Sequence, residues 1–341
     1  MEEIIFLSAI SLKNYGGGEK WIINVGNLLK NKSFKVKVYA LSYSPNYRVD
    51  ENYLRNIIKF DYIEIPFVKS KITPLKMKNL PEVGEGIIYS NAGYYYFLKQ
   101  ILKLKNRNIW GFHDPSLMNP KNYFQKKILN NIIPKFDKIH ILNEIQGKII
   151  KNNYVNLLEN SYLGDAVPKK EKFDKFTVLF FGRHEEDKGV NTVKYVAENL
   201  SDGIDLLIAG SGSQSNKLNI KKGNVKFLGF VSDDDLYEKI LKSHLVLFPS
   251  YSESSLSFVA NESLAHYTPL IYRDIEINKM LEKIPFNLPA RKDEEFLNNI
   301  YIKYKEYNKD PDLYLKKCYN LPNYLMSKED YIQLFIEYFL S

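Results

Sequence analysis

Three apolar runs in the second half of the chain each end in a polar or glycine-bearing loop: FTVLFFGRHEEDKG from Phe176, DLLIAGSGS from Asp205 and HLVLFPSYSESSLSFVANES from His244. Strands that feed loops into helices in this repeated way build a parallel α/β sheet, whose ligand crevice lies beyond the strand C-termini. The chemistry of the chain is therefore expected on those three loops.

The first loop is the most informative. Val178 to Phe181 is a short β-prone run, and Val190, Val193, Ala197 and Leu200 then recur at helical spacing, so the turn between them opens a helix. Arg183 and Lys188 both fall in that turn. A lysine just ahead of a helix opposes the positive end of the macrodipole by up to about 1 kcal/mol, a conflict that an intervening anion removes. A diphosphate would accept hydrogen bonds from the helix amides, the guanidinium fork and the ammonium together. Two solvated surface cations are the plain alternative. In the third loop Pro249 and Ser250 end the strand, Glu253 follows in a polar turn, and Glu262 falls in a helix with Phe258, Val259 and Leu264 on its apolar face. A carboxylate can accept from both hydroxyls of a ribose, and Glu253, nearer the strand end, could bond sugar hydroxyls. For each glutamate the alternative is a surface helix charge.

At 341 residues the chain suits two domains, each with its own core. The single cysteine, Cys318, excludes an internal disulfide framework and a cysteine-based zinc site. No apolar run reaches membrane-spanning length, and Met1-Glu2-Glu3 leads directly into a strand, so a cytoplasmic protein without a spanning helix or secretory leader is expected. Charge is uneven: residues 1–164 carry 24 Lys and Arg against 13 Asp and Glu (+11) and residues 165–341 carry 24 against 27 (−3), which sums to the overall +8. A separate anionic partner for the first half follows, with membrane phospholipid, a lipid-phosphate acceptor and nucleic acid as the candidates.

Earlier in the chain, residues 3–10 read as a first strand, and Gly16-Gly17-Gly18 precede Trp21, Ile22, Val25, Leu28 and Leu29 at helical spacing. Glycines ahead of a helix let backbone amides approach a phosphate, or simply make a turn. KVKVYAL from Lys35, Tyr62 to Phe67, Ile87 to Tyr89 and KIHILN from Lys138 read as further strands. NIWGFHDP reads as a buried strand ending at His113 and Asp114, the latter a turn starter before Pro115. Lys99 to Arg107 and Lys121 to Lys138 are basic stretches with interleaved apolar residues, suited to an anionic membrane surface or to a solvated helix face. Asp233-Asp234-Asp235 after Ser232 reads as a helix N-cap with acidic residues in its first turn rather than as a metal site. Beyond Pro322, the last helix presents Phe335, Ile336, Phe339 and Leu340, which need a partner surface.

The succession GRHEEDKG, IAGSGS, VKFLGFVSDDDLYEKI, FPSYSE and NESLAHYTPLI resembles the nucleotide-binding half of retaining glycosyltransferases of the GT4 type. That resemblance implies the GT-B fold: α/β, with two facing Rossmann-like doubly wound domains and a cleft between them. The domains would cover residues 1–166, completed by a C-terminal helix at about 323–341, and residues 172–320. It implies transfer of a sugar, with retention, from a UDP- or GDP-sugar to a glycan, lipid-linked or protein acceptor; with the three aspartates read as a cap, no metal and no other cofactor is expected. Arg183 and Lys188 would then bind the donor diphosphate, Glu253 the transferred sugar and Glu262 the ribose, with His113 on the donor sugar. Gly17 and Gly18 would face the donor phosphate, and Gly182, Gly210 and Ser254, Ser255, Leu256 and Ser257 would complete the donor site. The family spaces its two glutamates by seven residues and this chain by eight, so either the turn holds an extra residue or Ser254 has taken the first position. The expected partners are the nucleotide sugar, an acceptor associated with a membrane, and an anionic membrane itself, contacted peripherally by the basic half; nucleic acid is not expected. The alternatives are a GT-B nucleotide-sugar epimerase or phosphorylase, or a basic nucleic-acid-binding protein on a degenerate form of the fold.

Overall fold

Strands covered by helices on both faces read as continuous apolar runs, and the innermost strands here obey that rule. The computed structural model describes residues 2–42, 49–66, 83–91, 95–113, 117–150 and 154–341. Its contacts divide into two units, residues 1–159 with 328–341, and residues 160–327. The first unit holds β1 (Glu3–Ser8), β2 (Lys35–Leu41), β3 (Asp61–Ile65), β4 (Ile87–Ser90), β5 (Arg107–Gly111), β6 (Lys138–Ile141) and β7 (Val155–Leu157) in the order β3-β2-β1-β4-β5-β6-β7, all parallel. Its helices are α1 (Gly17–Asn31), α2 (Glu51–Ile57), α3 (Tyr95–Ile101), α4 (Tyr123–Asn131) and α5 (Glu144–Ile149). The strand order reverses between β1 and β4, which puts a crevice at their C-terminal ends.

The second unit repeats the plan with β8 (Thr177–Arg183), β9 (Asp205–Ser211), β10 (Val225–Gly229), β11 (Leu245–Phe248), β12 (Leu270–Arg273) and β13 (Leu288–Ala290), ordered β10-β9-β8-β11-β12-β13. Its helices are α6 (Val190–Asn199), α7 (Asp233–Lys242), α8 (Phe258–Ala265), α9 (Asp293–Lys309) and α10 (Pro311–Cys318). Here the order reverses between β8 and β11. The two units are the pair of doubly wound α/β domains that the GT-B class requires. Ser232 caps α7, its Oγ accepting from the Asp235 amide at 3.2 Å, and the three aspartates fill the first turn, where their charge complements the helix dipole.

α11 (Lys328–Phe335) and a π-helical turn (Ile336–Leu340) belong to the first unit. Phe335 and Phe339 are fully buried there, with the Phe335 ring 5.9 Å from that of Trp21 and 5.7 Å from that of Tyr89, and Trp21 Nε1 donates to the Tyr331 hydroxyl at 2.8 Å. The apolar face that needed a partner has found it.

Two local readings change. α1 starts at Gly17, so Gly17 and Gly18 form its first turn instead of preceding it; Gly16 is the N-cap, and Glu19 closes the cap by accepting from the Gly16 amide at 2.8 Å. The basic stretches are not single helices either. Arg107 opens β5 and Lys138 opens β6. Both cations are spent on C-terminal carbonyls, Arg107 on Phe339 (3.2 Å), Leu340 and Ser341 (3.0 Å), Lys138 on Tyr338 (2.9 Å) and Ser341 (3.0 Å). Asp114 and Pro115 lie outside the described residues, as does Phe67. Among the described residues no helix is long and apolar enough to cross a membrane.

Candidate active site

The loops that leave β8 and β11 flank the reversal of strand order in the second sheet, the place where a doubly wound sheet binds its ligand. After Arg183, Glu186–Lys188 make a 3-10 turn, and Gly189 enters α6 with φ 77°. A side chain at Gly189 would be strained by that φ, and its Cβ would lie 2.4 Å from the Pro249 carbonyl oxygen. Glycine therefore lets the two loops touch. The Tyr251 amide donates to the Asp187 carbonyl at 2.8 Å and Ser250 Oγ to the same carbonyl at 3.2 Å.

Lys188 is held across this seam. Its ammonium donates to Glu253 Oε1 at 2.6 Å, the Ser252 carbonyl at 3.1 Å and Ser250 Oγ at 3.4 Å, which occupies all three protons. The anion that the helix dipole called for beside Lys188 is thus a carboxylate of the chain itself. It is Glu253 and not Ser254 that meets the lysine. Arg183 reaches Asp187 Oδ2 at 3.5 Å, and the same oxygen lies 3.9 Å from Lys188, so Asp187 stands between the two cations. The Arg183 and Asp187 side chains are 44% and 42% exposed, and a solvated pair of this kind contributes about 0–1 kcal/mol. A pairing this weak can exchange its carboxylate for another anion at the guanidinium. The Lys188–Glu253 pair, at 21% and 12%, is held more firmly.

An open pocket over the seam is lined by Arg183, Glu185, Glu186, Asp187, Asn191 and Tyr251. Three carboxylates against one guanidinium make it a poor seat for a diphosphate.

The remaining residues of the expected donor site have varied surroundings. Gly182 (φ 138°) and Gly210 (φ 118°) pair across β8 and β9, and a Cβ on Gly210 would fall 1.9 Å from the Gly182 carbonyl oxygen. Ser255 Oγ accepts from Asn160 Nδ2 at 2.6 Å, Leu256 is buried at 5% exposure, and Ser257 caps α8 through the Val259 amide at 3.2 Å. Ser254 is half-buried. Glu262, inside α8, is buried with the Tyr237 hydroxyl 3.4 Å from Oε1. In the first unit, His113 follows β5, half-buried, with its ring centroid 4.4 Å from that of Trp21 and Nε2 2.9 Å from the Tyr89 hydroxyl. Burial, and then the neighbouring His140, hold its pKa well below the ordinary histidine value.

Sequence reasoning passed over three participants. Asp187 was visible in EEDKG, yet no spacing rule marks one of three consecutive acids as the one between two cations. Tyr89 and His140 come from separate strands and meet His113 only through the sheet. Among the described residues no group of His, Cys, Asp and Glu could hold a metal ion.

Comparison with known proteins adds independent findings. A family model described as "Glycosyl transferases group 1" matches residues 165–283, the part of the second unit that carries both loops. Among solved structures the chain is similar to Alr3699/HepE of Anabaena in complex with UDP and glucose, at 13% identity, a TM-score of 0.75 and 100% of each chain covered. It is also similar to a mutant of S. aureus TarM in complex with fondaparinux, alpha-GlcNAc-glycerol and UDP, at 12% identity, a TM-score of 0.76 and 100% of each chain. A third is WaaG, a glycosyltransferase involved in lipopolysaccharide biosynthesis, at 14% identity and a TM-score of 0.67, over 97% of this chain and 99% of that one. No curated protein sequence matches the chain. At these identities the likeness is one of fold, and the fold is that of two Rossmann-like α/β domains of the GT-B class.

Proposed function

We propose that the chain is a glycosyltransferase of the GT4 type, moving a sugar from a UDP-sugar to an acceptor hydroxyl with retention at the anomeric carbon. The observation that carries the reading is the seam between the β8 and β11 loops, where Arg183, Lys188 and Glu253 come together at the reversal of strand order. In the reaction the bond between the anomeric carbon and the diphosphate oxygen breaks, and the departing diphosphate takes the electron pair. The acceptor oxygen forms the new bond and its proton passes to the diphosphate. Arg183 and Lys188 stabilise the charge as it develops, and such preorganised charge is usually the largest catalytic contribution. Glu253 and His113 orient the sugar and Glu262 the ribose. Gly17, Gly18, Gly182, Gly210 and the Ser254–Ser257 loop approach the donor. The choice of uridine is supported by the UDP bound in HepE and TarM.

Thermal shift against a panel of nucleoside diphosphates and nucleotide sugars tests this, with Glu262→Gln beside the wild type. Ligand at a hundredfold excess over Kd stabilises by about 2.7 kcal/mol, a visible rise in Tm. UDP should stabilise the wild type and lose most of its effect on the variant. If no nucleotide shifts the wild type, the reading is wrong.

The acceptor is proposed to lie at an anionic membrane surface. On α4, Tyr123 and Phe124 are 70% and 58% exposed beside exposed Lys121 and Lys126, which is the pairing of aromatic and basic groups that suits a lipid interface. Cosedimentation should occur with vesicles containing anionic lipid, weaken with salt, and fall in a Tyr123→Ala/Phe124→Ala double variant. Equal binding to neutral vesicles, or none to either, would remove the membrane from the account.

A further inference from the structure

A chain of hydrogen bonds runs across three adjacent strands of the first sheet. His140 of β6 has Nε2 2.8 Å from the Leu158 carbonyl oxygen and Nδ1 2.6 Å from the Tyr89 hydroxyl of β4, and that hydroxyl is 2.9 Å from His113 Nε2. Tyr89 and His140 stand on opposite sides of β5, with Ile109 of β5 paired to Tyr89 and Gly111 paired to His140. The Tyr89 ring crosses between them over Gly111. A Cβ there would lie 2.1 Å from the Tyr89 hydroxyl oxygen and 2.8 Å from the His113 ring.

The protons in this chain are fixed by elimination. A carbonyl only accepts, so His140 Nε2 carries a proton. His140 is fully buried, and burial lowers its pKa to about 4, so at neutral pH its Nδ1 is bare and must accept from Tyr89. Tyr89 has one proton and has given it to His140. Its oxygen can then only accept from His113, which places the His113 proton on Nε2. His113 Nδ1 is left with a lone pair, and no hydrogen bond to it is made among the described residues.

We propose that Tyr89 and His140 are positioning residues that lock His113 as its Nε2–H tautomer, so that Nδ1 presents a hydrogen-bond acceptor to a hydroxyl of the transferred sugar. The proposal rests on the glycosyl-transfer reading for its ligand but not for its proton order. It narrows the substrate class: the group facing His113 is a hydroxyl, which donates, and not a carboxylate, whose lone pairs would meet another lone pair. Without the relay the imidazole exchanges tautomers, and a fraction of the molecules turns an N–H toward the sugar.

Histidine side-chain 15N–1H correlation spectra read the tautomer directly, with the His113 signals assigned by their loss in His113→Gln. The wild type should show Nε2–H at His113. Tyr89→Phe and His140→Leu should each release it to a mixture, whereas His140→Gln, whose amide can still donate to Leu158 and accept from Tyr89, should preserve it. For the nucleotide sugar that shifts the wild type, Tyr89→Phe should raise Kd by up to about twofold, because a ligand that binds one of two exchanging tautomers loses affinity in proportion to that tautomer's population. Kd for UDP alone should not move. An unchanged tautomer in both Tyr89→Phe and His140→Leu overturns the proposal, as does equal weakening of UDP and UDP-sugar. A wild type that binds no nucleotide but shows the locked tautomer would sink the glycosyl-transfer reading and the sugar contact while leaving the proton order standing.

Discussion

Lys188→Ala lowers kcat by about a hundredfold to a thousandfold, the loss of about 3–4 kcal/mol of transition-state stabilisation seen when one donor to a developing anion is removed. The size follows from position. Lys188 sits at the point where strand order reverses, only 21% exposed, so on the proposed reading its charge would act on a leaving diphosphate with little screening by solvent. The change also strands Glu253, whose partner at 2.6 Å is gone, and Tm should fall with it. The two effects separate in a double variant. Lys188→Ala/Glu253→Gln should recover much of the lost Tm and none of the lost rate. A near wild-type kcat in the single variant would place the lysine outside the reaction and leave the pair with Glu253 as a structural contact.

Acidification from pH 6.5 to 5 destabilises the protein by roughly 4–6 kcal/mol, before most carboxylates have begun to titrate. Three buried histidines account for this amount, and His113, also held well below the usual value, adds to it. Burial lowers His140 to about 4, burial and then Lys172 lower His244 to about 3, and burial lowers His266 to about 4 against a bond to the Glu262 carbonyl that raises it. The unfolded chain binds these protons below about pH 6.5 and the folded chain does not, so unfolding takes up protons and stability falls as pH falls. Each histidine contributes about 1.4 kcal/mol per pH unit between 6.5 and its folded value, below which its contribution levels off. Denaturant melts at intervals of half a pH unit check this, and His266→Gln should lower the slope by its own share, about 1.4 kcal/mol per pH unit. A midpoint that stays level from pH 7 to 5 would show that these imidazoles accept protons without unfolding.

Legibility in the sequence followed how local the physics is. The runs Val178–Phe181 and Leu245–Phe248 announced their strands because both faces are buried, and Ser232 announced its cap because a hydroxyl three residues before the Asp235 amide has one obvious use. Arg183 and Lys188 could be placed on a loop between strand and helix. That their loop meets the one carrying Glu253 depends on β8 lying beside β11, a pairing between residues more than sixty positions apart that no spacing reveals. The start of α1 was misplaced because glycines read as a loop, while Glu19 reaching back to the Gly16 amide made them helical. The basic stretches misled in the same way: charge composition does not show that Arg107 and Lys138 are aimed at the carbonyls of residues more than two hundred positions away.

The return of residues 328–341 to the first unit sets an order of events during synthesis. These residues leave the ribosome only after residues 160–327, so the second unit has its whole sequence available before the first does. Until then Trp21 has no Tyr331 to receive its indole proton, and the faces of Tyr89 and His140 that later meet Phe335 and Phe339 stay open. The half of the molecule translated first is thus the half finished last, and a chain released before Lys328 would expose that aromatic cluster although its second unit had its whole sequence.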